Sequence, residues 1–193
     1  MYEYLEGTIT EKNPAYAVVD VGGVGYYLNI SLNTYTLLKE TRCRLYIHLV
    51  VREDDMLLYG FAESSERELF RLLISVSGVG VNTARIILSS MSASDLVYAI
   101  STGNASALQR IKGIGAKTAQ RIIIDLKNRV SSEHIPQEKT SISHNTKRDE
   151  ALSGLVILGF PKIPAEKALN KIIEAEGTAL SVEQLIKQAL KIL

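Results

Sequence analysis

The hydrophobic positions of residues 1–62 recur with a period of two. Thr8-Ile9-Thr10, Ala15 to Val21 and Val24 to Ile30 are rich in β-branched and aromatic residues, which favour strands. Asn13-Pro14 and Gly22-Gly23 punctuate them as turns. Leu32 to Lys39 reads as one short helix. Arg44 to Val51 alternates again, with Leu45, Ile47 and Leu49 on one side and Tyr46, His48 and Val50 on the other. Arg52-Glu53-Asp54-Asp55 forms a charged turn before Met56 to Phe61. Five or six short strands in so few residues predict a small barrel of the OB-fold type.

From Glu63 the period becomes helical. Ser65 and Glu68 have the spacing of a capping box ahead of Leu69, Phe70, Leu72, Leu73 and Ile74. Further helices are expected at Val81–Ser90, Ser94–Ser101 and Ala116–Val130. Residues 131–146 are polar, with scattered Ser and Thr, and read as a flexible linker. Residues 147–193 predict three short helices. Their apolar faces are Leu152, Leu155, Val156 and Leu158, then Ala165, Ala168, Leu169, Ile172 and Ile173, then Val182, Leu185, Ile186 and Leu190. Gly159-Phe160-Pro161 separates the first two. Leu155, Leu158, Phe160, Leu169 and Ile172 are expected in the core of that unit. The expected architecture is α+β and multidomain: a barrel over 1–62, a helical domain over 63–130, a linker over 131–146 and a three-helix bundle over 147–193.

Charge sharpens this division. Residues 1–62 carry 5 basic and 8 acidic side chains, and residues 63–130 carry 9 and 5, although the whole chain of 193 residues nets only +1. An acidic first module beside a basic second one suggests separate tasks. The longest uncharged run, Val21 to Leu38, contains Asn29, Ser31, Asn33 and Thr34, so no membrane span is expected. The N-terminus lacks the pattern of a signal peptide. The single cysteine, Cys43, predicts a reduced, cytoplasmic setting. Three histidines and one cysteine argue against a His/Cys metal site.

An internal repeat carries the chemistry. Val76-Ser77-Gly78-Val79-Gly80-Val81-Asn82-Thr83-Ala84 matches Ile111-Lys112-Gly113-Ile114-Gly115-Ala116-Lys117-Thr118-Ala119 at an offset of 35 residues, since Gly113 aligns with Gly78. Both copies lie between apolar helices. The glycines flanking Val79 and Ile114 are expected to permit a tight turn with positive φ. The apolar residue between them anchors the turn. The backbone N–H groups that open the following helix then point outward, where the helix dipole favours phosphate. Such contacts read no base edge. Arg85 beside the first turn, and Lys117, Thr118 and Arg121 beside the second, are expected to add phosphate contacts; Asn82 offers a neutral group.

Gly115-Ala116-Lys117-Thr118 has the ending of a phosphate-binding P-loop, but Ala116 stands where glycine is required and no strand precedes it. No H-E-x-x-H or G-x-S-x-G occurs, so no ATPase, protease or esterase site is expected.

At these residues the chain resembles the RuvA family of Holliday-junction branch-migration proteins. The paired helix-hairpin-helix turns are one part of the match. Asp20-Val21-Gly22-Gly23-Val24-Gly25-Tyr26, Val50-Val51-Arg52-Glu53-Asp54 with Leu57-Leu58-Tyr59-Gly60-Phe61, and Glu150-Ala151-Leu152 to Leu158-Gly159-Phe160 are the others. The resemblance implies a homotetramer that cradles an open four-way DNA junction in recombination and repair, with two tetramers able to enclose it. It implies a UBA-like C-terminal bundle that binds the hexameric ATPase RuvB, and the resolvase RuvC as a further partner. The chain itself would be non-catalytic and need no cofactor or metal. The implied DNA-binding residues are Gly78, Val79, Gly80, Asn82, Arg85, Gly113, Ile114, Gly115, Lys117, Thr118 and Arg121. The family's acidic pin falls on Glu53 and Asp54, which would meet the crossover. The family often has lysine where this chain has Asn82 and Ala116. The rival from another class is a structure-specific nuclease or lyase that borrows these hairpins for grip, with Glu53, Asp54 and Asp55 as its carboxylates. A protein-interaction scaffold is a third reading, but it leaves the repeated turns unexplained.

Overall fold

The computed structural model describes residues 2–131, 146–177 and 180–193, which form two compact units separated between residues 131 and 146. In the first unit, β1 (Tyr4–Lys12), β2 (Tyr16–Val21), β3 (Val24–Asn29), β4 (Arg42–Val51) and β5 (Met56–Phe61) close a barrel in the order β1-β2-β3-β5-β4, with helix α1 (Leu32–Leu37) inserted before β4. Neighbours are antiparallel except β3 and β5. The Gly22-Gly23 turn has φ of 63° and 89°, the left-handed backbone that a two-residue hairpin demands. The Asp20 carboxylate accepts from the Gly23 N–H at 3.2 Å and completes the turn. Leu5, Ala17, Val19, Leu28, Leu45 and Ile47 fill the barrel.

The alternation of β4 and β5 has two apolar destinations. Leu45, Ile47 and Gly60 face the barrel interior. Tyr59 and Phe61 instead join the helical core, packing on Phe70 of α2 (Ser64–Ile74) with ring centroids 5.0 Å apart in both pairs. His48 meets the same ring edge-on. Burial and the positive charges of Arg71 and Arg67 pull the His48 imidazole below its ordinary pKa. Barrel and helices therefore form one unit, sharing β5 as a wall. The helical part continues as α3 (Val81–Ser90), α4 (Ala93–Ser101), α5 (Ala105–Gln109) and α6 (Ala116–Ser131).

Three expectations are corrected here. Ser65 and Glu68 do not form a capping box. The helix begins after Glu63, no side chain caps it, and Glu68 pairs with Arg71 at 2.7 Å and Arg67 at 3.4 Å. The helix α5, absent from the sequence reading, is a single turn capped by Asn104 and pinned by buried Leu108, too short for a periodic signal. In the second unit, α7 (Thr146–Ile157), α8 (Lys162–Glu176) and α9 (Val182–Ala189) pack around Ala151, Leu152, Leu155, Ala165, Ala168, Leu169, Ile172, Leu185 and Ala189. Val156, Leu158 and Leu190, expected on inward faces, are exposed. The helix is apolar on several sides at its end, and only three-helix packing selects which side is covered. A Cβ on Gly154 would come within 2.9 Å of Ile186, so glycine there lets α7 and α9 approach closely. The linker expected over 131–146 lies, apart from its two edge residues, outside the described residues.

Candidate nucleic-acid interface

The two repeats fold into the same hydrogen-bonded turn. In the first, Val76 N–H donates to Leu73 O at 3.0 Å, Val79 N–H to Val76 O at 3.0 Å and Ala84 N–H to Gly80 O at 2.9 Å. In the second, Ile111 donates to Leu108 at 3.1 Å, Ile114 to Ile111 at 3.0 Å and Ala119 to Gly115 at 2.9 Å. Each bond has its counterpart 35 residues later. Val79 and Ile114 are buried in the helical core, as the anchoring role requires.

The glycines divide their work differently from the expectation. Gly78 and Gly113 alone carry the positive φ, 92° and 90°. Gly80 has φ −81° and ψ 168°, which any residue adopts, and Gly115 is likewise not among the positive-φ glycines. A Cβ added to Gly80 or Gly115 would meet nothing within 4 Å. Backbone strain and packing therefore give no reason for glycine at these positions. What remains is the outside: a missing side chain lets another molecule reach the backbone at the start of α3 and α6.

Those starts suit an anion. α1, α4, α5 and α9 have a serine or asparagine capping their first turn. α3 begins at Gly80, which has no side chain to do so, and neither α3 nor α6 has an acidic residue in its first turn. The opening N–H groups have no intrahelical acceptor. Asn82 and Lys117 are exposed beside their turns, Thr118 is half-buried, and Arg121 is exposed with Asp125 at 3.9 Å. Arg110 and Lys112, which the sequence reading did not assign, are exposed just ahead of the second turn. Their place beside Lys117 and Arg121 in a short basic run was the available signal. The second turn carries its cations on its own residues, whereas Ser75, Ser77 and Asn82 of the first are neutral and the Arg129 guanidinium donates to Ser75 Oγ at 2.9 Å.

The Arg85 guanidinium donates to Ala15 O and to Asn29 Oδ1, both at 3.2 Å, and so reaches the barrel. It ties the helix carrying the first hairpin to the loop between β1 and β2.

Glu53 and Asp54 occupy the tip of the β4–β5 hairpin, closed by Arg52 N–H donating to Asp55 O at 2.8 Å. Both are exposed, and neither has a hydrogen bond or ion pair among the described residues. Among the described residues no group of three or more His, Cys, Asp or Glu is gathered to hold a metal ion, Glu53, Asp54 and Asp55 included. No described helix is long and apolar enough to cross a membrane.

Comparison with known proteins assigns each segment. Residues 1–60 match "RuvA N terminal domain", residues 70–128 "SAM-like Helix-hairpin-helix tandem", and residues 146–193 "RuvA, C-terminal domain". The chain is 48% identical over 192 residues to a protein of Christiangramia forsetii, covering 99% of each. The chain belongs to the RuvA family. That relative is named Holliday junction branch migration complex subunit RuvA, as are those of Flavobacterium psychrophilum, 49% identical with 99% of each chain covered, and Parabacteroides distasonis, 50% identical with 100% of each covered. The helix-hairpin-helix match lies between the two RuvA domain matches and covers both repeated turns.

Proposed function

We propose that this chain is a DNA-binding, non-catalytic subunit that holds four-way junctions for branch migration in recombination and repair. The observation that carries the reading is the pair of equivalent turns, each with an open glycine at a helix start. Two such turns bind the phosphates of one arm, and no base edge is read. Lys117, Arg121, Arg110 and Lys112 add charge at the second turn. Binding then releases counterions, and affinity falls steeply with salt.

Four copies around a junction give each arm its own pair of turns. The acidic tips then meet at the crossover. Carboxylates there repel phosphates within a Debye length of about 8–10 Å, so strands are separated at the centre while the arms are held. Two such tetramers enclose the junction from both faces, and a junction resolvase of the RuvC type is a further partner.

The C-terminal unit recruits the RuvB-type ATPase. Val156, Ile157, Leu158 and Ile163 lie exposed around the α7–α8 corner, and clustered apolar side chains at a surface suit a protein partner.

The test is a gel shift at two salt concentrations with an immobile four-way junction, equal-length duplex and excess duplex competitor. A strong junction preference that weakens steeply with salt supports the reading. Equal weak binding to both DNAs overturns it. Cleavage of the labelled junction with Mg²⁺ and no partner protein overturns the non-catalytic assignment.

A further inference from the structure

Eight of the nine tyrosines lie in residues 1–62. Two of them are used in a way the junction reading does not explain. Tyr16 on β2 and Tyr27 on β3 stack with ring centroids 4.5 Å apart and planes 26° from parallel. Leu28 and Ala17, their neighbours along the strands, are buried inside the barrel, so alternation places both tyrosines on its outer face. Tyr27 remains 52% exposed. The pair is held in place: Tyr16 donates its hydroxyl to the Glu11 carboxylate, and the Asn13 side chain accepts from the Ala15 and Tyr16 N–H groups at 2.8 and 3.1 Å.

We propose that the Tyr16–Tyr27 pair is a stacking platform for an unpaired base of single-stranded DNA. This deepens the junction reading and rests on it. Three observations support it. The pair occupies the β2–β3 face, next to the β1–β2 loop, where the OB architecture binds oligonucleotides; that analogy alone would be weak. An open aromatic face held rigidly is the feature that sequence-tolerant single-strand binding uses. The position is also continuous with the candidate DNA interface. Tyr16 follows Ala15, whose carbonyl accepts from Arg85 on the first hairpin helix. Asn29, paired with Tyr16 across the strands, accepts from the same arginine. The platform thus borders the helix that carries the first hairpin.

Charge orients the strand. Glu11 and Asp20 lie on the β1–β2 side of the pair and disfavour phosphate there. Arg85 lies on the Ala15 and Asn29 side, so the sugar-phosphate backbone runs along that side with its base turned onto Tyr27.

The experiment uses the full chain with Tyr27→Ala and Tyr27→Phe, a fluorescent twenty-nucleotide oligothymidine, a duplex and the four-way junction. Light scattering records the mass of every variant. Tyr27→Ala is expected to weaken oligothymidine binding about 5- to 100-fold, leave duplex binding unchanged, and be rescued by Tyr27→Phe, which keeps the ring. Wild-type protein that prefers the junction but does not bind oligothymidine overturns the platform and leaves the junction reading standing. Wild-type protein that binds none of the three DNAs overturns both. A changed mass for Tyr27→Ala also overturns the platform, since the pair then belongs to a contact between copies of the chain.

Discussion

The Thr34 hydroxyl donates to Glu66 Oε2 at 2.7 Å, and its oxygen accepts the Ala62 N–H at 3.0 Å. Ser31 donates to the other carboxylate oxygen of Glu66 while capping α1 through the Thr34 N–H. One buried carboxylate on α2 thereby fastens α1, the β5–α2 connection and the helical domain together. Burial pushes Glu66 above its ordinary pKa, against the lowering effect of the Ser31 and Thr34 hydrogen bonds, and the charge of Glu63 adds to the rise. A carboxyl raised in the folded state favours folding most when protonated. Its contribution is fully present below about pH 4.5, the unfolded value, and is lost as pH rises through the folded value. In urea titrations from pH 4 to 8, wild-type protein should lose stability relative to Glu66→Gln as pH rises. Glu66→Leu, which strands both hydroxyls, should cost about 1–3 kcal/mol. A wild-type advantage over Glu66→Gln that grows with pH would contradict this account.

The two glycines of a hairpin should respond oppositely to alanine. Gly78→Ala forces a side chain into positive φ and should lower stability by about 1–3 kcal/mol. Gly80→Ala meets no strain and no neighbour, so thermal unfolding should stay within about 0.5 kcal/mol. Its DNA affinity should nonetheless fall by about 1–3 kcal/mol as the phosphate loses close access to the backbone donors. Equal destabilisation by both changes would remove the argument that Gly80 serves an external ligand.

The turns also differ in charge, and salt dependence reads that difference. Lys117→Ala should reduce the slope of log affinity against log salt by about one per engaged turn. Asn82→Ala, which removes no charge, should leave the slope unchanged. Binding isotherms at four salt concentrations are sufficient to compare them.

Neutralising the acidic tip tests its place at the crossover. Glu53→Gln with Asp54→Asn should leave duplex affinity the same or higher and reduce the preference for the junction over duplex. Both residues are exposed, so stability should change by less than about 0.5 kcal/mol. A uniform loss on duplex and junction alike would place these carboxylates in a supporting role instead.

Ile157 is 85% exposed at the end of α7. Ile157→Glu should preserve folding and junction binding while abolishing capture of the RuvB-type ATPase in a pull-down. Retained capture would move the partner surface elsewhere on the C-terminal unit.

The strands, the principal helices and the repeated turns were legible in the sequence because their signals are local. Side-chain alternation marks a strand facing a core, and Gly-x-Gly between apolar helices marks a turn wherever it stands. The repetition at 35 residues made those turns specific. Tertiary structure alone decided what depends on distant partners. The sequence places Arg85 beside a turn, and only the fold brings Ala15 and Asn29, 70 and 56 residues earlier, to its guanidinium. Glu66 looks like an ordinary helix-surface carboxylate until α1 covers it with Ser31 and Thr34. The backbone angles, not the residue types, separate strained Gly78 from unstrained Gly80. Val156 and Leu158 have the chemistry of core residues, and only the packing of three helices leaves them outside. Local chemistry sets which elements form; which side chains remain free to meet DNA or a partner depends on contacts that no short window of sequence contains.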